Sequence, residues 1–214
     1  MFSAVNFAQT PALSNRYALM NRSCTLSRFC ALLLLCLPFT ACDLINPAAP
    51  DPLKIDEDLH LSFKTPDWGT KMDCTQLDLP SYGLNTQTYY TFGTSVSSNN
   101  TFFLSFPKDS SAMVLPANLK KYPVQELGNH TLPFQFSMKV PVLEGSRASL
   151  ISKEGLSTDS YNEVVAVKYV GRSGPDALFQ IKGRYKMQMV EVNAPNAPKL
   201  VSGTYHLKVK TTRL

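Results

Sequence analysis

The feature that most constrains the fold is an alternation of apolar and polar residues with a period of two. In residues 132–140, Leu, Phe, Phe, Met and Val alternate with Pro, Gln, Ser and Lys. Successive side chains of a β-strand point to opposite faces, so this period is typical of strands that bury one face. Between Ile55 and the C-terminus, no run of ten residues has the 3.6-residue period of an amphipathic helix. The pattern predicts an all-β domain, either an antiparallel β-sandwich or a partly open barrel.

The same alternation, interrupted by turn-forming residues, predicts the other strands. Short strands are expected near residues 59–63, 90–92 and 102–106, with a hairpin turn at Asn99 and Asn100. Longer strands are expected at residues 163–170, 178–192 and 200–212. Glycine and proline residues at 171–176 and 193–198 favour a turn and a loop between these long strands. Pro116 and Pro123 limit the one segment of helical character to about a turn.

The N-terminal residues have the pattern of a secretory signal. A basic segment starts at Met20 and is followed by an apolar run of 13 residues, 29–41. A helix needs about 20 apolar residues to cross a bilayer, so this run is too short to span one. Residues 1–41 are therefore predicted to be a signal peptide, with Met20 as the better initiator and the first 19 residues as an upstream extension.

The signal ends in Phe39-Thr40-Ala41-Cys42, which resembles the lipobox of bacterial lipoprotein precursors. In that family an aliphatic residue, a small residue and then Ala or Gly precede the lipid-modified cysteine, and Phe39 stands where leucine is usual. The resemblance covers only the signal. It implies acyl chains such as palmitate on Cys42 and attachment to the cell membrane or outer membrane, facing the periplasm or the cell exterior. Residues 42–54, which are rich in proline, would then tether a single β-rich domain at 55–214.

Charge excludes one class of partner and suggests another. The net charge is +5, but removing Arg16, Arg22 and Arg28 with the signal leaves +2, which does not indicate a nucleic-acid partner. If the strands at 178–192 and 200–212 pair as a hairpin, six basic or potentially basic side chains share one outward face. These are Lys182, Arg184, Lys186, His206, Lys208 and Lys210. The face is a candidate surface for an anionic ligand; the alternative is a solvated face whose lysines discourage edge pairing.

Glycine and cysteine positions in the domain point to packing. Gly183 and Gly203 each stand two residues before a tyrosine, which predicts β-bulges or a close approach of strands beneath aromatic rings. Of the five cysteines, three lie in the signal and Cys42 is the lipidation site, so Cys74 has no partner for an intramolecular disulfide. It is expected to be a small buried side chain.

Residues suited to catalysis are sparse. His60, His130 and His206 have no second His or Cys at the spacing of metal ligands, and the chain has no nucleophile elbow or phosphate-binding loop. We therefore expect no enzymatic activity, no metal and no cofactor. Several aromatic residues are available for a glycan-binding face, although core and rim packing is the alternative. They are Trp68, Tyr82, Tyr89, Tyr90, Tyr122 and Tyr161.

These features together predict a membrane-anchored lipoprotein of the cell envelope. Its domain is expected to be a non-catalytic binding or structural module for a glycan or a protein. Two alternatives stay open. One is an accessory subunit of an envelope assembly that docks by adding a strand to a partner's sheet. The other is a hydrolase of envelope or extracellular polymers, which would need a cleft with two close carboxylates.

Overall fold

The structure of the chain is a computed structural model, and it describes residues 53–212. The predicted signal peptide, Cys42 and most of the tether lie outside the described residues. All described residues belong to one compact unit, Asn46–Leu214, which contains a single buried core. Among them, no helix is long and apolar enough to cross a membrane.

The described residues form eleven strands and very little helix, which confirms the all-β prediction. The strands are β1 (His60–Lys64), β2 (Gly69–Asp73), β3 (Tyr82–Gly83), β4 (Thr88–Ser95), β5 (Asn100–Pro107), β6 (Lys121–Tyr122), β7 (Phe136–Pro141), β8 (Ser149–Ser152), β9 (Tyr161–Ser173), β10 (Asp176–Glu191) and β11 (Ala194–Thr212). One turn of α-helix, α1 (Ser110–Met113), and one 3-10 turn (Pro116–Asn118) follow β5. The 3-10 turn matches the helical turn expected after Pro116.

All strands belong to one antiparallel sheet with the order β2-β1-β11-β10-β8-β7-β5-β4-β3. Strand β10 is where the sheet branches. Its first part pairs with β9, while its last residues, from Met189 to Glu191, pair with β8. The two ends of the order, β2 and β3, are not paired with each other, so the sheet is open.

The two halves of the sheet pack face to face as a β-sandwich. Phe136 of β7 lies 4.8 Å from the ring centre of Tyr185 on β10 and 5.1 Å from that of Tyr205 on β11. Across the same interface, the indole Nε1 of Trp68 donates a hydrogen bond of 3.1 Å to the carbonyl of Pro141. The alternating apolar residues of β5, β7, β10 and β11 fill the space between the layers.

Gly183 and Gly203 sit where the two longest strands carry tyrosines, and the predicted close approach is present. The ladder pairs Gly183 with Tyr205 and Tyr185 with Gly203, so each ring packs over the glycine of the other strand. A Cβ at Gly183 would overlap the Tyr205 ring, and one at Gly203 would overlap the carbonyl oxygen of Ser62 on β1. Hydrogen in place of a side chain is therefore required at both positions.

Two local predictions differ from the structure. The strand expected over 132–140 starts only at Phe136, because Phe134 has φ +60° and breaks the extended backbone. The loop expected at 193–198 is mostly strand. Glu191 pairs with Ala194 across a two-residue turn, and residues 195–198 then have no partner on β10. Proline, which has no N–H to donate, is tolerated in such a stretch because no ladder bond to β10 is lost there.

Candidate binding site

The six basic residues predicted to line one face of the β10–β11 hairpin do share that face, but three of them form salt bridges with carboxylates. Lys182 lies 2.6 Å from Glu57, and Lys210 lies 2.6 Å from Asp78. Arg184 donates from Nε and Nη2 to the two carboxylate oxygens of Glu163, at 3.0 and 3.1 Å. His206 is buried. Lys186 and Lys208 are therefore the two of the six that are neither buried nor in a salt bridge among residues 53–212, and they are the ones available to an anion.

His206 lies on this face, but the expectation that it is exposed to solvent is wrong. The residue is only 3% exposed, and its cross-strand neighbours are His60 of β1 on one side and Lys182 of β10 on the other. Burial, and then the charge of Lys182, lower the pKa of His206. The imidazole is therefore neutral near pH 7 and adds no positive charge to the face.

A cleft opens at one end of the sandwich. This cleft has a volume of about 890 Å³ and lies between the α1 segment, β6, the turn at residues 86–87 and the loop at 132–135. Most of its wall is apolar. The apolar lining residues are Pro107, Ala112, Leu115, Tyr122, Pro123, Leu132, Pro133 and Phe134.

Phe134 forms the floor of the cleft in a strained conformation. Its φ of +60° is rare for an aromatic residue and costs about 1–3 kcal/mol. Neighbouring groups hold it there. The Phe134 amide donates to the carbonyl of Ser105 at 2.8 Å, and its carbonyl accepts from the Asn162 side chain at 2.8 Å. Backbone strain of this kind occurs preferentially at functional sites.

The outer wall of the cleft is an exposed leucine that buried polar groups hold in place. Leu132 is 59% exposed, yet its carbonyl accepts from the Ser105 hydroxyl at 2.6 Å. Its amide donates to Oε1 of Gln135 at 2.9 Å, and the buried Gln135 side chain also accepts from the amide of Thr131. A hydrophobic side chain is thus kept at the cleft wall instead of folding into the core.

Three lysines line the cleft, and none of them forms a salt bridge with a carboxylate in the described part of the chain. The ammonium of Lys108 lies 4.9 Å from the ring centre of Tyr89, and that of Lys120 lies 5.3 Å from that of Tyr122. The nearby acid is Asp109, whose oxygens accept from the amide and hydroxyl of Ser111 and cap α1. A third lining lysine, Lys121, has its ammonium 4.0 Å from the ring centre of Tyr161.

The residues considered for chemistry are engaged in packing away from the cleft. Cys74 is buried, and burial raises its pKa to about 11, so it stays a thiol. His60 bonds through its two ring nitrogens to the Asp58 carbonyl and the Thr204 hydroxyl. His130 contacts the Ser137 hydroxyl at 2.9 Å, and burial lowers its pKa to about 4. Within residues 53–212, no group of three or more His, Cys, Asp or Glu side chains could hold a metal ion.

The aromatic residues expected as a possible glycan face do not form one surface. Trp68 packs edge-on against Phe63, and Tyr122 lies in the cleft. Tyr89 bonds to Thr212, and Tyr161 is buried. The two that do meet are Tyr82 and Tyr90, stacked at 5.4 Å; with Phe92 and Phe103 they form a partly exposed aromatic row on β3, β4 and β5.

Sequence reasoning did not find the cleft, because separate loops and strand ends build it, at residues 86–87, 107–123 and 132–135 and at Thr212. The nearest local signals are the exposed leucines beside prolines, Leu115-Pro116 and Leu132-Pro133, and the basic pair Lys120-Lys121. The chain matches no family model, no curated protein and no solved structure at a significant level.

Proposed function

We propose that this chain is a non-catalytic binding domain of the bacterial cell envelope, in which the cleft takes the ligand and a lipid on Cys42 holds the domain at a membrane. The observation that carries the first part is the cleft of about 890 Å³, with its fixed apolar walls and its lysines. Sites for small ligands are typically concave, 300–1,000 Å³ in volume, and apolar with a few polar groups.

The lining residues favour binding over catalysis. Nucleophilic and acid–base mechanisms need a reactive group within hydrogen-bond reach of a second one. Among the titratable residues of the cleft, Asp109 is committed to capping α1, and burial raises the pKa of Tyr122, which stays protonated. The lysines remain, and they supply charge. Such a site holds a ligand and gives it no reaction partner.

Strand addition by a partner has less support. The end strand β3 has two residues, and β2 has five, with Lys71 bound to Asp56 and Asp58. The longer outer edge of β9 is interrupted twice, because register shifts leave Val165 and Val170 as extra residues. Short, charged and bulged edges are the usual means of preventing edge pairing.

The cleft's role can be tested with N-phenyl-1-naphthylamine, a neutral dye that fluoresces in apolar surroundings. The experiment uses the chain from Asn46, the start of the compact unit that contains the core. We expect saturable binding, and we expect Leu132→Glu to weaken it at least tenfold, about 1.4 kcal/mol, by placing a charge in the apolar wall. Leu156→Glu is the matched control, because Leu156 is 61% exposed and lies outside the cleft. Equal binding by the two variants, or no binding by the unaltered chain, would refute the role.

The membrane anchor is tested in cells that express the full precursor. We expect a palmitate analogue to label the protein and membranes to retain it, and we expect Cys42→Ala to abolish both. Mass spectrometry of the purified protein reports the acyl chains directly. A protein that is unlabelled and released with Cys42 intact would exclude the anchor while leaving the cleft's role standing.

A further inference from the structure

We infer that the cleft takes a single-chain anionic amphiphile, with its acyl chain along the apolar wall and its anionic head at Lys108 and Lys120. This inference rests on the proposed function and names the class of ligand. The inference follows from two properties of the cleft. Several of its polar side chains already form hydrogen bonds within the protein, and its charges without a salt bridge are positive.

Three uncharged polar side chains of the cleft already hydrogen-bond within the protein, which leaves Thr86 and Gln87 among the uncharged ones whose side chains make no hydrogen bond among residues 53–212. The Asn118 carboxamide donates to the carbonyls of Ala112 and Met113 at 2.7 and 3.0 Å. Oε1 of Gln135 accepts from two backbone amides, and the Thr212 hydroxyl bonds to Tyr89 at 2.7 Å. A sugar needs many directional partners, and burying its hydroxyls without them is costly. An alkyl chain needs only the apolar area that the walls provide.

The remaining charge selects the head group. Lys108 and Lys120 have no salt bridge to a carboxylate in the described part of the chain, and the one carboxylate of the lining, Asp109, is bound to Ser111. The ammonium group of each lysine lies over a tyrosine ring, and this contact restricts the conformations of the lysine side chain. The cleft therefore combines a hydrophobic wall with positive charge, and an anionic head on an apolar chain matches both.

The ligand class is tested with octanoate, decanoate and dodecanoate, kept below their micellar concentrations. Binding is measured by displacement of N-phenyl-1-naphthylamine and directly by calorimetry. We expect the dissociation constant to fall about fourfold for each added methylene, because each one buries apolar area in the cleft. Dodecyltrimethylammonium, which has the same chain length and the opposite charge, should bind at least tenfold more weakly than dodecanoate.

Two double variants locate the head group. Lys108→Ala/Lys120→Ala should weaken dodecanoate about tenfold more than it weakens the neutral dye, because only dodecanoate carries a charge for the lysines to bind. Lys186→Ala/Lys208→Ala removes the same charge from the β10–β11 face and should change neither. The inference is overturned if dodecanoate does not bind, if the cationic detergent binds as tightly, or if the second double variant is the one that weakens binding. Dye binding without dodecanoate binding would leave the proposed function intact, whereas the loss of both would remove it.

Discussion

Gly203→Ala is expected to lower the free energy of unfolding by about 3 kcal/mol, at the upper end of what overpacking a core costs. The added methyl would overlap the backbone carbonyl of Ser62 on the neighbouring strand and lie 2.7 Å from the Tyr185 hydroxyl. That hydroxyl donates to the same carbonyl at 2.7 Å, so the added methyl would also displace the two groups of this hydrogen bond. Because the crowded atoms include backbone of β1, a change of side-chain rotamer cannot relieve the contact. Urea unfolding of the chain from Asn46 measures the loss.

Gly83→Ala is the matched control for this variant. Its added methyl would meet only the end of the Lys108 side chain, at 3.5 Å, so we expect a change within about 0.5 kcal/mol. Gly183→Ala should also destabilise the fold, but by less than Gly203→Ala, because its methyl would overlap only side-chain atoms of Tyr205. If Gly203→Ala unfolds within 1 kcal/mol of the unaltered chain with the same dependence on urea, then the close packing of β1, β10 and β11 is not as described.

Acid is expected to destabilise the fold by about 3 kcal/mol between pH 6.5 and pH 4 through His130 alone. Burial lowers the pKa of His130 from 6.5 to about 4, so the unfolded chain takes up a proton in this range while the folded chain does not. The free energy of unfolding is therefore greatest above pH 6.5 and falls as the pH drops, by up to about 1.4 kcal/mol per pH unit. Burial also lowers the pKa of His206, which acts in the same direction.

Urea unfolding at a series of pH values measures this slope, and His130→Gln is the informative variant. Glutamine can still bond to Ser137 but does not titrate, so the variant should lose most of the slope between pH 6.5 and 4.5. Carboxylates with lowered pKa, such as Glu57 and Glu163, contribute only below their ordinary range near 4.5. Stability that stays flat from pH 6.5 to 4.5, or an unchanged slope in His130→Gln, would show that His130 is not buried in the folded chain.

The fold class could be predicted from the sequence because the period of two is a local property of each strand. The glycine and tyrosine pairs could also be predicted, since their spacing repeats on two adjacent strands. The break at Phe134 could not. Alternation continues through that residue, and what bends the backbone is a set of contacts with Ser105 and Asn162, at least 28 residues away.

Electrostatic contacts were the least predictable part of the candidate site. Alternation correctly places Lys182 and Arg184 on one face, but the acids that bind them come from elsewhere in the chain. Glu57 is 125 residues from Lys182, and no local pattern connects them. His206 was expected outside for the same reason, because alternation reports which face a residue is on and does not report what covers that face.

The most direct test of the cleft as the ligand site is an NMR titration of the chain from Asn46, with labelled leucine methyl groups, by N-phenyl-1-naphthylamine. The rings of the dye shift the resonances of methyl groups that they contact. We predict saturable shifts for Leu115 and Leu132, which line the cleft, and none for Leu143 and Leu156, which are similarly exposed elsewhere. Shifts confined to Leu143, Leu156 or other sites outside the cleft, or no saturable shifts at all, would contradict the assignment.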